Sequence, residues 1–200
     1  MAIGLFASRL IAALVALGSV AHAQTEAPHP FYGNTKFIST INLASTTQFF
    51  PLPTNYNTLF LNCQGMIGSS NAFLSLNVGE GGTPTWETAA NYTGVSIEMN
   101  SGSSTATVGN GTAFGGLITP SVAIATEPIS VKLYLDSVAS SSVHKLATYQ
   151  IDNTYYGDTF YRTKYGSTYW NSDTNPITGL QLTLTAGAFT AGTCSLYGMN

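Results

Sequence analysis

From residue 37 to the end, the chain repeats one local pattern: a short run of alternating apolar and polar residues, then a turn of Gly, Ser, Asn or Pro. A period of two buries one face of a β-strand, whereas a helix needs apolar residues every three to four positions. No stretch beyond residue 36 keeps the helical spacing. Strands are expected at 37–43, 58–64, 72–78, 92–99, 114–118, 129–135, 145–151, 159–165, 180–184 and 193–199. Many short strands without intervening helices make an antiparallel β-sandwich, and a jelly-roll-like arrangement is the specific expectation.

Turn chemistry sets the punctuation. Pro51 and Pro53 predict a turn before Tyr56, and Glu80-Gly-Gly-Thr-Pro84 reads as a loop. Residues 100–112, rich in Ser, Gly, Thr and Asn, read as an exposed mobile loop. Near the C-terminus, Cys194 and Leu196 point one way and Thr193, Ser195 and Tyr197 the other. With Leu180, Leu182 and Leu184 upstream, and Gly187 and Gly192 between, these two segments read as a closing hairpin.

Two hundred residues are enough for one domain with a real core. Only 8% are charged against 44% hydrophobic, so a neutral, polar β-surface is expected. The formal net charge is −3, and the six Lys and Arg residues form no cluster. That balance argues against a nucleic-acid partner, which requires a basic stripe.

Residues 1–23 stand apart. Arg9 is their only charge, Leu10 to Leu17 is apolar, and Ala21-His-Ala23 precedes Gln24 as a small-x-small cleavage site. This is the layout of a secretory signal peptide cut between Ala23 and Gln24. The competing reading is a retained apolar anchor that plugs the protein into a virion or a membrane, the one setting in which a membrane partner is expected. Residues 24–35, with Pro28 and Pro30, read as an extended linker, leaving 36–200 as a single sandwich domain.

Groups able to do chemistry are sparse. Cys63 and Cys194 each sit on the Leu-bearing face of a strand, so a disulfide between them is one expectation and two buried free thiols the other. Of the three histidines, His22 lies in the leader, His29 in the linker and His144 beside a Ser-rich turn, so no His-based zinc site is expected. No Gly-x-Ser-x-Gly, His-Glu-x-x-His or P-loop motif occurs. Asp152, Asp158 and Asp173 suggest calcium ligands or a carboxylate pair, but their spacing fits turn chemistry better. The chain therefore reads as non-enzymatic, with no catalytic residue, metal or cofactor. Aromatics give the strongest hint of a surface. Tyr155, Tyr156, Tyr161, Tyr165, Tyr169 and Trp170 crowd together beside Arg162 and Lys164. Exposed, such a row would bind sugar rings or another subunit; buried, it is ordinary strand packing.

One family resemblance runs through the chain. Trp170, Ile177-Thr178, Leu180 to Leu184, Gly187, Phe189, Gly192 and Ser195-Leu196-Tyr197-Gly198-Met199 form its closing segment. This pattern resembles the C-terminal β-sandwich domains of tailed-bacteriophage structural proteins, of tail, fibre, head-decoration or receptor-binding type. Tyr56-Asn-Thr-Leu-Phe-Leu-Asn62 is similar to that family's early strand, so matched segments spread over residues 37–200. The resemblance implies a virion protein whose partners are other virion proteins and further copies of itself in a homo-oligomer. It carries no catalytic residue. The alternative is a virion-displayed or exported module, secreted, periplasmic or on the cell surface, that binds host glycan.

Overall fold

The computed structural model describes residues 35–81, 83–86, 92–101, 107–111, 127–154, 161–170 and 174–200. Its strands in chain order are β1 (Lys36–Asn42), β2 (Thr47–Pro51), β3 (Thr58–Gly68), β4 (Leu74–Glu80), β5 (Thr85–Trp86) and β6 (Tyr92–Asn100). They continue as β7 (Thr107–Gly111), β8 (Ile129–Asp136), β9 (Lys145–Thr154), β10 (Tyr161–Trp170), β11 (Ile177–Leu184) and β12 (Phe189–Met199). No helix occurs among the described residues.

The strands form two antiparallel sheets, one in the order β1-β12-β3-β8-β9-β10-β6-β7 and one in the order β2-β11-β4-β5. Eight of them make a jelly roll. β1, β12, β3 and β8 lie in one sheet and β2, β11, β4 and β5 in the other, and the chain changes sheet at nearly every step. Two insertions widen the first sheet. The pair β6-β7 falls between β5 and β8 in the chain, β9-β10 between β8 and β11, and all four strands add beyond β8. The all-β sandwich expected from the alternating pattern is the fold observed.

Burial shows where the sheets face each other. Leu59, Leu61 and Cys63 of β3, Val131, Leu133 and Leu135 of β8, and Cys194 and Leu196 of β12 are buried against Phe50, Leu74, Leu76, Val78, Leu180, Leu182 and Leu184. In each strand these are alternate residues, as the pleat requires. Burial continues through Ala147, Tyr149 and Ile151 of β9 and ends on β10 at Thr168 and Trp170. On β6 no residue from Thr93 to Met99 is buried. A four-stranded sheet spans about half the width of an eight-stranded one at ~4.8 Å per strand, so the inserted strands reach past it.

Cys63 and Cys194 are directly opposed in the β3–β12 ladder and joined by a disulfide with an S–S distance of 2.00 Å. Both are fully buried. The bridge spans 131 residues of sequence, and closing so long a loop restricts the unfolded chain by about 4–5 kcal/mol on the chain-entropy account.

Two expectations need correction. The two closing strands are not a hairpin, because β11 pairs β2 and β4 while β12 pairs β1 and β3. A hairpin and a face-to-face crossing bury the same alternate leucines, so the period alone does not separate them. The crossing falls at residues 185–188, where Gly187 takes a φ of 69°, a left-handed turn that a side chain would strain. Residues 100–112 are not simply a loop: Thr107–Gly111 is β7, paired with β6. The turn expected before Tyr56 is present at residues 54–55, and Pro51 in addition ends β2, an edge strand whose open side needs no N–H from proline. The strand expected at 114–118 lies outside the described residues, as do residues 1–34.

Candidate functional site

The eight-stranded sheet has an outer face, opposite the core, where the chemistry is concentrated. Its side chains line up in rows set by strand register. One row runs Phe37, Tyr197, Phe60, Tyr134, Thr148, Ser167 and Val95 across β1, β12, β3, β8, β9, β10 and β6. Its first four members form an aromatic ladder. Phe37 meets Tyr197 edge-on at 5.7 Å, Tyr197 stacks with Phe60 at 5.8 Å, and Phe60 stacks with Tyr134 at 4.5 Å. These are favourable aromatic separations, each contributing about 0.5–1.5 kcal/mol beyond burial. Phe37, at the open end, is 60% exposed.

Beyond the ladder the face turns aliphatic and phenolic. Tyr165 of β10 lies opposite Ile97 of β6, flanked by Val95 and Met99 on β6 and Tyr161 and Tyr169 on β10, with Leu146 opposite Tyr169 on β9. Each of these seven side chains is 41–54% exposed. On β6 the usual order is inverted: Val95, Ile97 and Met99 face outward while Ser96 and Glu98 face the inner side.

Polar groups on this face are largely satisfied by one another. Thr40 and Ser195 share a hydrogen bond of 3.0 Å, and Thr193 donates to Asn42 Oδ1 at 3.2 Å. Thr58 donates to Asp136 at 2.9 Å. Asp152 accepts from Gln150 Nε2 at 2.9 Å and from Thr163 at 2.8 Å. Tyr161 is held above its usual hydroxyl pKa, first by burial and then by the charge of Asp152 and its hydrogen bond to that carboxylate.

The inner side of the inserted strands differs. Arg162 Nη1 donates to Glu98 Oε1 at 2.7 Å, and Lys164 lies opposite Glu98 in the ladder. Burial pushes the Lys164 ammonium below its ordinary pKa while Glu98 pulls it back up. Tyr149 lies across Gly166, where a Cβ would overlap its Cζ and hydroxyl. Burial raises the Tyr149 hydroxyl pKa, and a hydrogen bond with Ser96 opposes the rise.

The structure separates the residues that the Tyr-rich segment groups in sequence. Tyr161, Tyr165 and Tyr169 stand together on the outer face, but Trp170 does not join them: it is 2% exposed and packs in the core. Strand parity requires this, since Trp170 is one residue from Tyr169. Its neighbour Lys145 is equally buried, its ammonium donating to the carbonyls of Ser140, Val143 and Thr174 at 2.7, 2.8 and 2.7 Å. A cavity of about 10 Å³ beside these two residues has room for about one water. Tyr155, Tyr156, Asp158, Asp173, His29, Ala23 and Gln24 lie outside the described residues. Asp152 is on the outer face, bonded to its neighbours, and His144 packs against Tyr169 at 5.2 Å between ring centres. Among the described residues no three His, Cys, Asp or Glu side chains gather as a metal site.

The sequence reading missed the ladder and the β6 row. Phe37, Phe60, Tyr134 and Tyr197 are scattered along the chain, and only register brings them together. Val95, Ile97 and Met99 do alternate, but alternation shows two faces without saying which is wet. No protein-family model, curated protein or solved structure matches this chain.

Proposed function

We propose that this protein is a non-enzymatic structural component of a bacteriophage particle, acting through protein–protein contact on the outer face of its larger sheet. The observation that carries the contact is the row of seven apolar and phenolic side chains on β6, β9 and β10, continued by the ladder on β1, β12, β3 and β8. Contiguous exposed apolar patches beyond a few hundred Å² mark interaction sites, and seven exposed apolar and phenolic side chains on adjoining strands make this face a candidate for one. The virion setting rests on the resemblance of the closing segment to tailed-phage sandwich domains. A sandwich fold alone carries no function.

The test is an intact-mass measurement on particles purified from the producing culture. Full-length chain sedimenting with particles supports a virion component and makes residues 1–23 an anchor. A chain starting at Gln24 that stays in soluble periplasm or medium rejects the virion role and favours the exported module. That second reading, glycan binding, draws on one observation: Asp152, Gln150 and Thr163 sit as a hydrogen-bonding group beside Tyr161 and Tyr165. Glycan-array binding lost on Tyr165→Ala would favour it.

A further inference from the structure

We propose that the occupant of this outer face is a second copy of the same chain, the two larger sheets stacking face to face. This rests on the assembly reading above and names its partner.

Area is the first argument. From β1 to β6 in sheet order the face spans about 29 Å at ~4.8 Å per strand. Along β10, from Tyr169 to Tyr161, it spans about 26 Å at ~3.3 Å per residue. The projected area, about 750 Å², is close to the ~800 Å² per partner of a stable specific interface. One face therefore suffices for a two-fold pair, in which the same patch serves both partners.

Desolvation and charge are the second. Apart from tyrosines, the ionisable side chains on the strands of this face are Lys132, Asp136 and Asp152, with His144 against Tyr169 at its margin. Both carboxylates already accept hydrogen bonds within the sheet, from Thr58 and from Gln150 and Thr163. The Thr40–Ser195 and Thr193–Asn42 pairs are likewise closed. Stacking thus strips water from few groups that lack a partner, which is where docking usually loses free energy. A nearly uncharged face also has little to offer a strongly charged partner. A matched, nearly uncharged face fits it better.

The experiment is sedimentation velocity on the purified full chain over a concentration series, with Ile97→Lys and Tyr165→Lys, and with Phe49→Lys on the outer face of the smaller sheet as control. Ile97 and Tyr165 are exposed and opposed, so each lysine should fold, and an unchanged thermal midpoint checks this. Expected is a dimer whose dissociation constant rises about 30-fold or more with either face variant, the scale of a central contact, and does not change with Phe49→Lys. A wild type that remains monomeric throughout overturns the proposal, as does a dimer indifferent to both face variants. Monomers that still sediment with particles would give the face to a different virion protein and leave the assembly reading standing. Dimers absent from particles would reject the virion role and leave the self-contact standing.

Discussion

At the scale of single residues, Gly166 and Tyr149 show how a sheet can be locked by what one strand omits. Gly166 lies directly opposite Tyr149 in the β10–β9 ladder, and the Tyr149 ring covers the site where a Cβ would stand. The ring has no room to withdraw, because Tyr149 is 6% exposed and its hydroxyl is tied to Ser96 on β6. Gly166→Ala should therefore destabilise the fold by about 1–3 kcal/mol, the usual cost of overpacking. In a Tyr149→Ala background the same change should cost much less, because the clash is gone. Urea denaturation of the two single mutants and the double mutant closes the cycle. Equal cost in both backgrounds would mean that Gly166 is needed for its backbone and not for its missing side chain. Nothing in the sequence marks this pair, which are seventeen positions apart, Tyr149 in the strand expected at 145–151 and Gly166 in the Tyr-rich segment after it.

Elements were legible where one face of a strand meets the core, and illegible where topology decides. β3, β8 and β12 could be read from Leu and Val alternation, and burial follows that parity over 58–63, 129–136 and 193–199, while the bulges of β3 and β12 shift it elsewhere. Which sheet a strand joins is a long-range matter, so the β11–β12 crossing was read as a hairpin. Short edge strands such as β5 and β7 carry too few apolar residues to announce themselves. Between elements, Lys145 does what no local pattern foretells. It sits at the start of β9, yet its ammonium ties the β8–β9 turn, through Ser140 and Val143, to Thr174 on the approach to β11. The turn is built for this: Ser140 Oγ accepts from the N–H groups of Ser142 and Val143 at 3.1 and 3.2 Å, curling the backbone around the lysine. Lys145→Met keeps the apolar stem but strands three carbonyls, and should cost about 3 kcal/mol. Thermal unfolding measures it, and a loss under about 1 kcal/mol would mean that water replaces the ammonium.

Over the whole molecule, the larger sheet joins two regions of unequal support. On β3, Leu59, Leu61, Cys63 and Met66 are 0–1% exposed, and the disulfide fastens that strand to β12. On β6, the outward side chains are half-exposed, and the inward positions from Thr93 to Met99 are Gly94, Ser96 and Glu98, which bring little apolar area to any core. The sequence hid this division, because alternation shows two faces without saying which is wet, and on β6 the apolar one faces out. In the proposed assembly, the same inversion is what would make the face a docking surface and give its strands the support of a partner. Local opening free energy follows buried apolar contact, so amide hydrogen exchange should divide along the sheet. In dilute protein, amides of β6 and of the Tyr161–Ser167 part of β10 should exchange through local openings, well below the global unfolding free energy that governs β3 and β12. Raising the concentration into the range of self-association should slow exchange on β6 and β10 while leaving β3 and β12 unchanged, since those already open only on global unfolding. Equal protection from β1 to β6 at every concentration would show one cooperative unit and would remove the physical reason for the inserted strands to need a partner.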